Sequence, residues 1–230
     1  MKKYLSLVKW YLPWIFHSLY FNLKYLPFRQ AIRLPILLHH PDFITVGGNI
    51  NIEERSIRFG MIRLGARVSN IHQHQPLIWE VDGHIVFKGA FSVATGCSIC
   101  VSKDATLILG EGVFINADTK ICCQHSIAIG KGCEISWDVL LIDTNFHPII
   151  NVLNGKEIKP YGSIVLGDYN WIGHNCLIMK GTKTPNNIIV AAGSQLSSKY
   201  RCEEKTILKG VPAVAVAEGC FCMKSSKLYQ

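Results

Sequence analysis

One histidine stands directly before a proline, His147-Pro148, in the stretch LLIDTNFHPI. An imidazole titrates near neutral pH, so it can take a proton from a hydroxyl and return it to a leaving group. A histidine in such a place is also a common loop residue, so the chemistry depends on its setting. Two other groupings could hold a metal. Cys97 and Cys100 form a CxxC, and His72 and His74 lie close together. A structural zinc site needs a second pair at matching spacing, which the CxxC lacks. A three-histidine zinc centre would have to add His125, His147 or His174, which fall in different repeats without the required spacing. The cysteines fit better as small buried hydrophobes, and no metal is expected.

The elements around these residues follow a six-residue beat. Leu166, Ile172, Ile178, Val190 and Leu196 are six apart, with Thr184 in the off-type slot. Leu109, Ile115, Ile121 and Ile127 continue it upstream. After a slip of two come Ile129, Ile135 and Leu141, ending at His147. Weaker runs are Val81, Phe87, Val93, Ile99, Ala105 and then Ile44, Ile50, Ser56, Ile62, Val68. A strand has a side-chain period of two and a helix one of 3.6, so neither alone gives six. Short strands separated by bends and stacked coil on coil do, which predicts an all-β parallel solenoid. Small or turn-forming residues follow the beat at Gly167, Gly173, Pro185 and Ala191. Breaks in phase predict external loops near 69–80 and 148–163. The predicted organisation is a helical, aromatic and basic segment over 1–43, a solenoid over 44–200 and a C-terminal extension over 201–230.

Composition agrees with one well-buried domain: 49% hydrophobic and 17% charged over 230 residues. The beginning, MKKYLSLVKWYLPWIF, is interrupted by Lys9 and Pro13 and has no small-residue cleavage site. No apolar stretch is long enough for a spanning helix. Reduced cysteines and a cytoplasmic location, in contact with the inner face of a membrane or not, are expected. Trp10, Tyr11, Trp14, Phe16, Tyr20, Phe21, Tyr25 and Phe28 cluster among Lys2, Lys3, Lys9, Lys24, Arg29 and Arg33. Packing on an open solenoid end is the first expectation for this cluster. Peripheral contact with an anionic membrane is the second. A net charge of +8 suits an anionic surface or a phosphorylated ligand. No nucleic-acid recognition motif accompanies it, so nucleic acid is not expected as a partner.

The segments LGDYNWIGHNCLIMKG (166–181), VAAGSQL (190–196) and KGVPAVAV (209–216) resemble the signature of hexapeptide-repeat acyltransferases. ISWDVLLIDTNFHPI (135–149) resembles the coil that ends in that family's catalytic histidine. The resemblance spans roughly residues 80–216. Its subgroup is the sugar O-acetyltransferases of surface-polysaccharide biosynthesis, which NLKYLPFRQAIRLPILLHHPDF and FGMIRLG resemble less specifically. GTKTPNNIIV departs from the family's usual continuation and loses one glycine corner.

The resemblance implies a left-handed β-helix and a homotrimer with sites between subunits. It implies acetyl transfer from acetyl-CoA to a sugar hydroxyl of a polysaccharide or lipid-linked precursor. His147 would be the general base, with Asp143 or a backbone carbonyl fixing its tautomer. Asn116, near Asp118, is the implied donor to the oxyanion. Trp171 would flank the acetyl or acceptor region. Gly173, Ala191, Ala192, Gly193 and Ser194 would let pantetheine approach the backbone closely. Lys209, with Lys180, Lys183, Lys199 and Arg201, could meet the CoA phosphates. Two alternatives share the scaffold. An N-acetyltransferase acting on an amino-sugar nucleotide would need a nucleotide pocket, and no glycine-rich phosphate loop is present at the N-terminus. A non-catalytic solenoid would need neither the tryptophan nor the His-Pro loop.

Overall fold

The computed structural model describes residues 9–68, 72 and 75–222. Its strands form three parallel faces of a prism. The first face runs from Ile36–Leu38 through Ile62–Ala66, Phe91–Ala94, Val113–Ile115, Glu134–Ile135, Trp171–Ile172 and Ile189–Val190 to Ile207–Gly210. Ala213–Ala217 closes it antiparallel. The second face runs from Pro41–Val46 to Gln195–Leu196, and the third from Asn49–Ile52 to Ile164–Leu166. The third face continues as single bridges, Val165 to Lys183 and Lys183 to Lys199. Each strand therefore pairs with the strand one full coil away, as a solenoid requires.

Coil length explains where the beat is clear. Trp171 pairs with Ile189 and Ile189 with Ile207, eighteen residues per coil, or three hexads. Upstream, Phe91 pairs with Val113, twenty-two residues on, and Phe114 with Glu134, twenty on. Extra corner residues there blur the period. The slip of two at Ile127 and Ile129 is one strand, Ser126–Ile129, with both side chains inward.

The core is a column of aliphatic side chains, and the beat residues from Val81 to Leu196 are buried in it, except His147 at the end of one run, which is exposed. Thr184 keeps its place for a polar reason. Its Oγ1 accepts from the Gly167 amide at 3.2 Å and from Asn170 Nδ2 at 2.6 Å. Asn170 Oδ1 then accepts from the Ile188 amide at 2.7 Å, which closes the corner. Another corner admits only glycine. A Cβ on Gly110 would lie 2.5 Å from the Gly130 carbonyl carbon, and one on Gly130 would lie 2.5 Å from that of Gly167.

Several expectations change. Ile44 is exposed, because the pairing of Pro41–Val46 with Leu77–Val81 slips between Phe43 and Thr45 and turns Ile44 outward. Strands begin at Ile36 rather than 44, and Ile207–Gly210 adds a coil beyond 200. The expected loop 69–80 ends where strand Leu77–Val81 starts, and residues 69–71, 73 and 74 lie outside the described residues. The other loop carries a hairpin, Ile149–Asn151 with Lys156–Ile158. Of the tail, residues 223–230 also lie outside the described residues.

The aromatic segment caps the first coil. In the helix Ile15–Tyr25, Phe21 is fully buried and its ring meets Trp79 at 5.1 Å and Phe43 at 5.7 Å. Ser18 and Asn22 are also fully buried, which is unusual for polar residues. They complete the open edge of Ile36–Leu38. The Ser18 hydroxyl accepts from the Leu38 amide at 2.9 Å. Asn22 accepts from the Ile36 amide at 3.1 Å and donates to the Ile36 carbonyl at 2.7 Å.

Candidate active site

The expected residues fall on two edges of the prism. His147 follows strand Leu140–Ile142 of the second face, on the turn toward the third. Its side chain is exposed, and its amide donates to the Asn145 carbonyl at 2.7 Å. Phe146, just before it, holds a left-handed backbone at φ 62°, with its amide donating to Thr144 Oγ1 at 2.8 Å. The arm that carries His147 is fastened at its root. Thr144 bridges to Tyr161, the Asn145 amide donates to the Pro160 carbonyl, and Lys180 Nζ reaches the Lys159 and Pro160 carbonyls at 3.0 and 3.3 Å.

Asp143 bonds within that root. It is fully buried, and its carboxylate accepts from the amides of Gln124 at 2.7 Å, His125 at 2.9 Å and Ser126 at 2.7 Å. These bonds close the turn of the coil beneath, and among the described residues no bond joins Asp143 to His147. The carboxylate expected to fix the His147 tautomer is thus engaged by three backbone amides in this structure.

The remaining candidates gather on the first face and its following edge. Asn116 is buried and its Oδ1 accepts from the next amide, Ala117, at 2.8 Å. That local bond leaves the Nδ2 as the group available to a ligand. Trp171 is 40% exposed and donates from Nε1 to Ser136 Oγ at 3.3 Å. A shallow pocket beside it is lined by Glu134, Tyr169, Asn170 and Trp171. Gly173 lies against the next coil, where a Cβ would come within 2.6 Å of the Ala192 nitrogen. Ala192 and Gly193 are exposed on that edge, while Ser194 is buried and its Oγ accepts from the Gly210 amide at 3.1 Å. Lys209 is exposed on the last coil of the same face. At Gly173, Ala192 and Gly193 the edge presents almost no side chain, which suits close approach of an amide-bearing chain. Within one chain the structure does not bring His147 together with Asn116 or Trp171.

The same edge carries a group the residue types alone did not single out. His72 Nδ1 lies 3.0 Å from Asp118 Oδ2, and Trp137 and His174 stack at 5.4 Å. Trp137 and His174 are thirty-seven residues apart, the length of their coil, so equal spacing was the available signal. The cysteines are split by the pleat. Cys97 points inward and donates to the Asn116 carbonyl, while Cys100 sits outside beside Glu80. Burial pushes the Cys97 thiol up to about 12. No three His, Cys, Asp or Glu side chains among the described residues gather as metal ligands, and His74 lies outside them.

No family model matches the chain. It is 32% identical over 84 residues to a polysialic acid O-acetyltransferase of Escherichia coli O1:K1 / APEC, covering 36% of this chain and 27% of that one. It is 29% identical over 90 residues to the polysialic acid O-acetyltransferase of Neisseria meningitidis, 39% of each chain. It is 25% identical over 140 residues to the putative lipopolysaccharide biosynthesis O-acetyl transferase WbbJ of Escherichia coli K12, covering 57% and 70%. The matches thus span about a quarter to two fifths of the length of the first two relatives. Among solved structures, the polySia-specific acetyltransferase NeuO superposes with a TM-score of 0.59 at 18% identity, over 85% of this chain and 82% of that one, which is a likeness of fold.

Proposed function

We infer that this chain is a hexapeptide-repeat acyltransferase, an O-acetyltransferase that moves an acetyl group from acetyl-CoA to a sugar hydroxyl of a polysaccharide or lipid-linked precursor. The observation that carries the reading is the setting of His147, an exposed imidazole on a firmly rooted corner. Relatives named as polysialic acid and lipopolysaccharide O-acetyltransferases support the acceptor class. In keeping with the family the prism winds left-handed.

His147 takes the proton of the attacking hydroxyl as its oxygen adds to the thioester carbonyl. It returns that proton to the sulfur of the leaving CoA as the C–S bond breaks. Asn116 donates from Nδ2 to the oxygen that becomes negative in between. The small residues Gly173, Ala191, Ala192, Gly193 and Ser194 receive the pantetheine arm, Trp171 flanks the acetyl end, and Lys209 meets the phosphates. Asp143 holds the corner on which His147 sits.

The division of these residues between two edges supports a homotrimer, in which the His147 edge of one subunit faces the Asn116 edge of the next. The hairpin after His147 supports it too, since Val152 and Leu153 are about nine-tenths exposed in the single chain and Ile150 is also bare. A ring closes such head-to-tail contacts.

The test is CoA release from acetyl-CoA with a panel of saccharide acceptors, comparing wild type with His147→Ala. Release should fall by about 10²- to 10⁴-fold, with CoA binding retained. A variant as active as wild type would remove His147 from the mechanism.

A further inference from the structure

The capping helix is amphipathic in the wrong sense for a soluble surface element. Its polar residues Ser18 and Asn22 face the protein, because the edge of Ile36–Leu38 needs their hydrogen bonds. Leu12, Phe16, Leu19, Tyr20 and Leu23 recur at helical spacing on the opposite side and are all exposed, Phe16 to 80%. Phe28 and Ile32 extend the stripe beyond the helix, at 71% and 59% exposed. This is a continuous apolar face, unlike the scattered single residues common on soluble proteins.

Charge identifies what covers it. Residues 1–41 contain six Lys and Arg and no Asp or Glu, so +6 of the net +8 belongs to this segment. Lys9, Lys24, Arg29 and Arg33 are exposed around the stripe. A second copy of the cap would bring like charges together around the apolar contact. An anionic bilayer surface would accept both features, with apolar and aromatic side chains at the acyl boundary and basic ones among the headgroups. No helix among the described residues is long and apolar enough to cross a membrane, so the contact is one of lying on the surface.

We propose that the N-terminal cap is a docking surface for anionic lipid bilayers, with Leu12, Phe16, Leu19, Tyr20 and Leu23 entering the interface and the basic residues pairing with headgroups. The site of chemistry is not part of this surface, so the proposal stands or falls apart from the acetyl-transfer reading.

The experiment is co-sedimentation of the full chain with phosphatidylcholine vesicles, with and without phosphatidylglycerol. Wild type should sediment with the anionic vesicles and be released by high salt. Phe16→Ser combined with Leu23→Ser should weaken binding at least about tenfold without changing circular dichroism or melting temperature, since both side chains are exposed. Lys24→Gln should weaken it about fivefold. Failure to bind anionic vesicles, or equal binding to neutral ones, overturns the proposal. So does a fall in oligomer size in the Phe16→Ser, Leu23→Ser variant, which would make the stripe a contact between copies.

Discussion

Replacing Asp143 separates a carboxylate that builds the site from one that takes part in the chemistry. Asp143→Ala removes the acceptor of three amides, those of Gln124, His125 and Ser126, all within 2.9 Å. A hydrogen bond to a charged acceptor contributes about 1.5–3 kcal/mol. The three amides are only partly buried, so water replaces some of each loss, and a total of about 3–4 kcal/mol is expected. For a chain of this length each kcal/mol shifts the melting temperature by about 2–4 °C. The expected fall is therefore roughly 6–16 °C, measured by scanning calorimetry at one protein concentration because assembly also stabilises. Asp143→Asn retains an acceptor oxygen and should lose about half as much. Hydrogen exchange at amides 124–126 should quicken in both variants, and CoA release should fall only as far as the corner loosens. A melting temperature within about 2 °C of wild type for Asp143→Ala would refute the reasoning. So would an Asp143→Asn protein of full stability that has lost turnover, since that result describes a carboxylate orienting His147.

Other substitutions test other parts of the prism. Gly130→Ala puts a methyl 2.5 Å from the Gly167 carbonyl carbon and should separate two coils; a loss above about 2 kcal/mol in chemical denaturation is expected. Burial holds the Cys97 thiol protonated up to about 12, against 9.0 unperturbed. Its contribution is complete below the unfolded value and is lost as pH rises above it, because the unfolded chain ionises first. The stability gap between wild type and Cys97→Ala should therefore narrow by about 1.4 kcal/mol per pH unit above about 9, which denaturation at two pH values reads. Val152→Asp with Leu153→Asp should leave the monomer fold intact, by circular dichroism, while light scattering shows a smaller particle and CoA release falls. An unchanged particle mass would remove the hairpin from the subunit contact.

How far the fold can be read from residue types depends on coil length. From Leu166 to Leu196 each coil is three hexads, and every beat position is buried, including Thr184 with its hydrogen-bonded corner. Upstream coils hold extra corner residues, and Ile44 was misplaced because a bulge inverts one strand's alternation. His147 stood out through its motif, and the structure puts it on an exposed corner. Its separation from Asn116 was not visible, because the edge on which a residue lies depends on the count through every variable corner before it. The role of Asp143 was hidden for another reason. Its partners are backbone amides about eighteen residues away, and amides leave no trace in residue type. The inverted cap is similar: Ser18 and Asn22 read as solvent-facing until the strand edge they complete is known.

A solenoid is also a ruler. His147 follows the fifth strand of the second face, counted from the capped end, so four strand spacings separate its coil from the first. At about 4.8 Å each, that sets the reactive corner about 19 Å beyond the first coil, and the capping helix adds about 10 Å more. With the cap resting on a bilayer, acetylation would occur in a plane raised by both lengths. Only acceptors whose tether or chain reaches it could be modified, and adding or deleting one coil below His147 would move the plane by about 5 Å. Coil number would then choose which sugar along a membrane-bound glycan is reached.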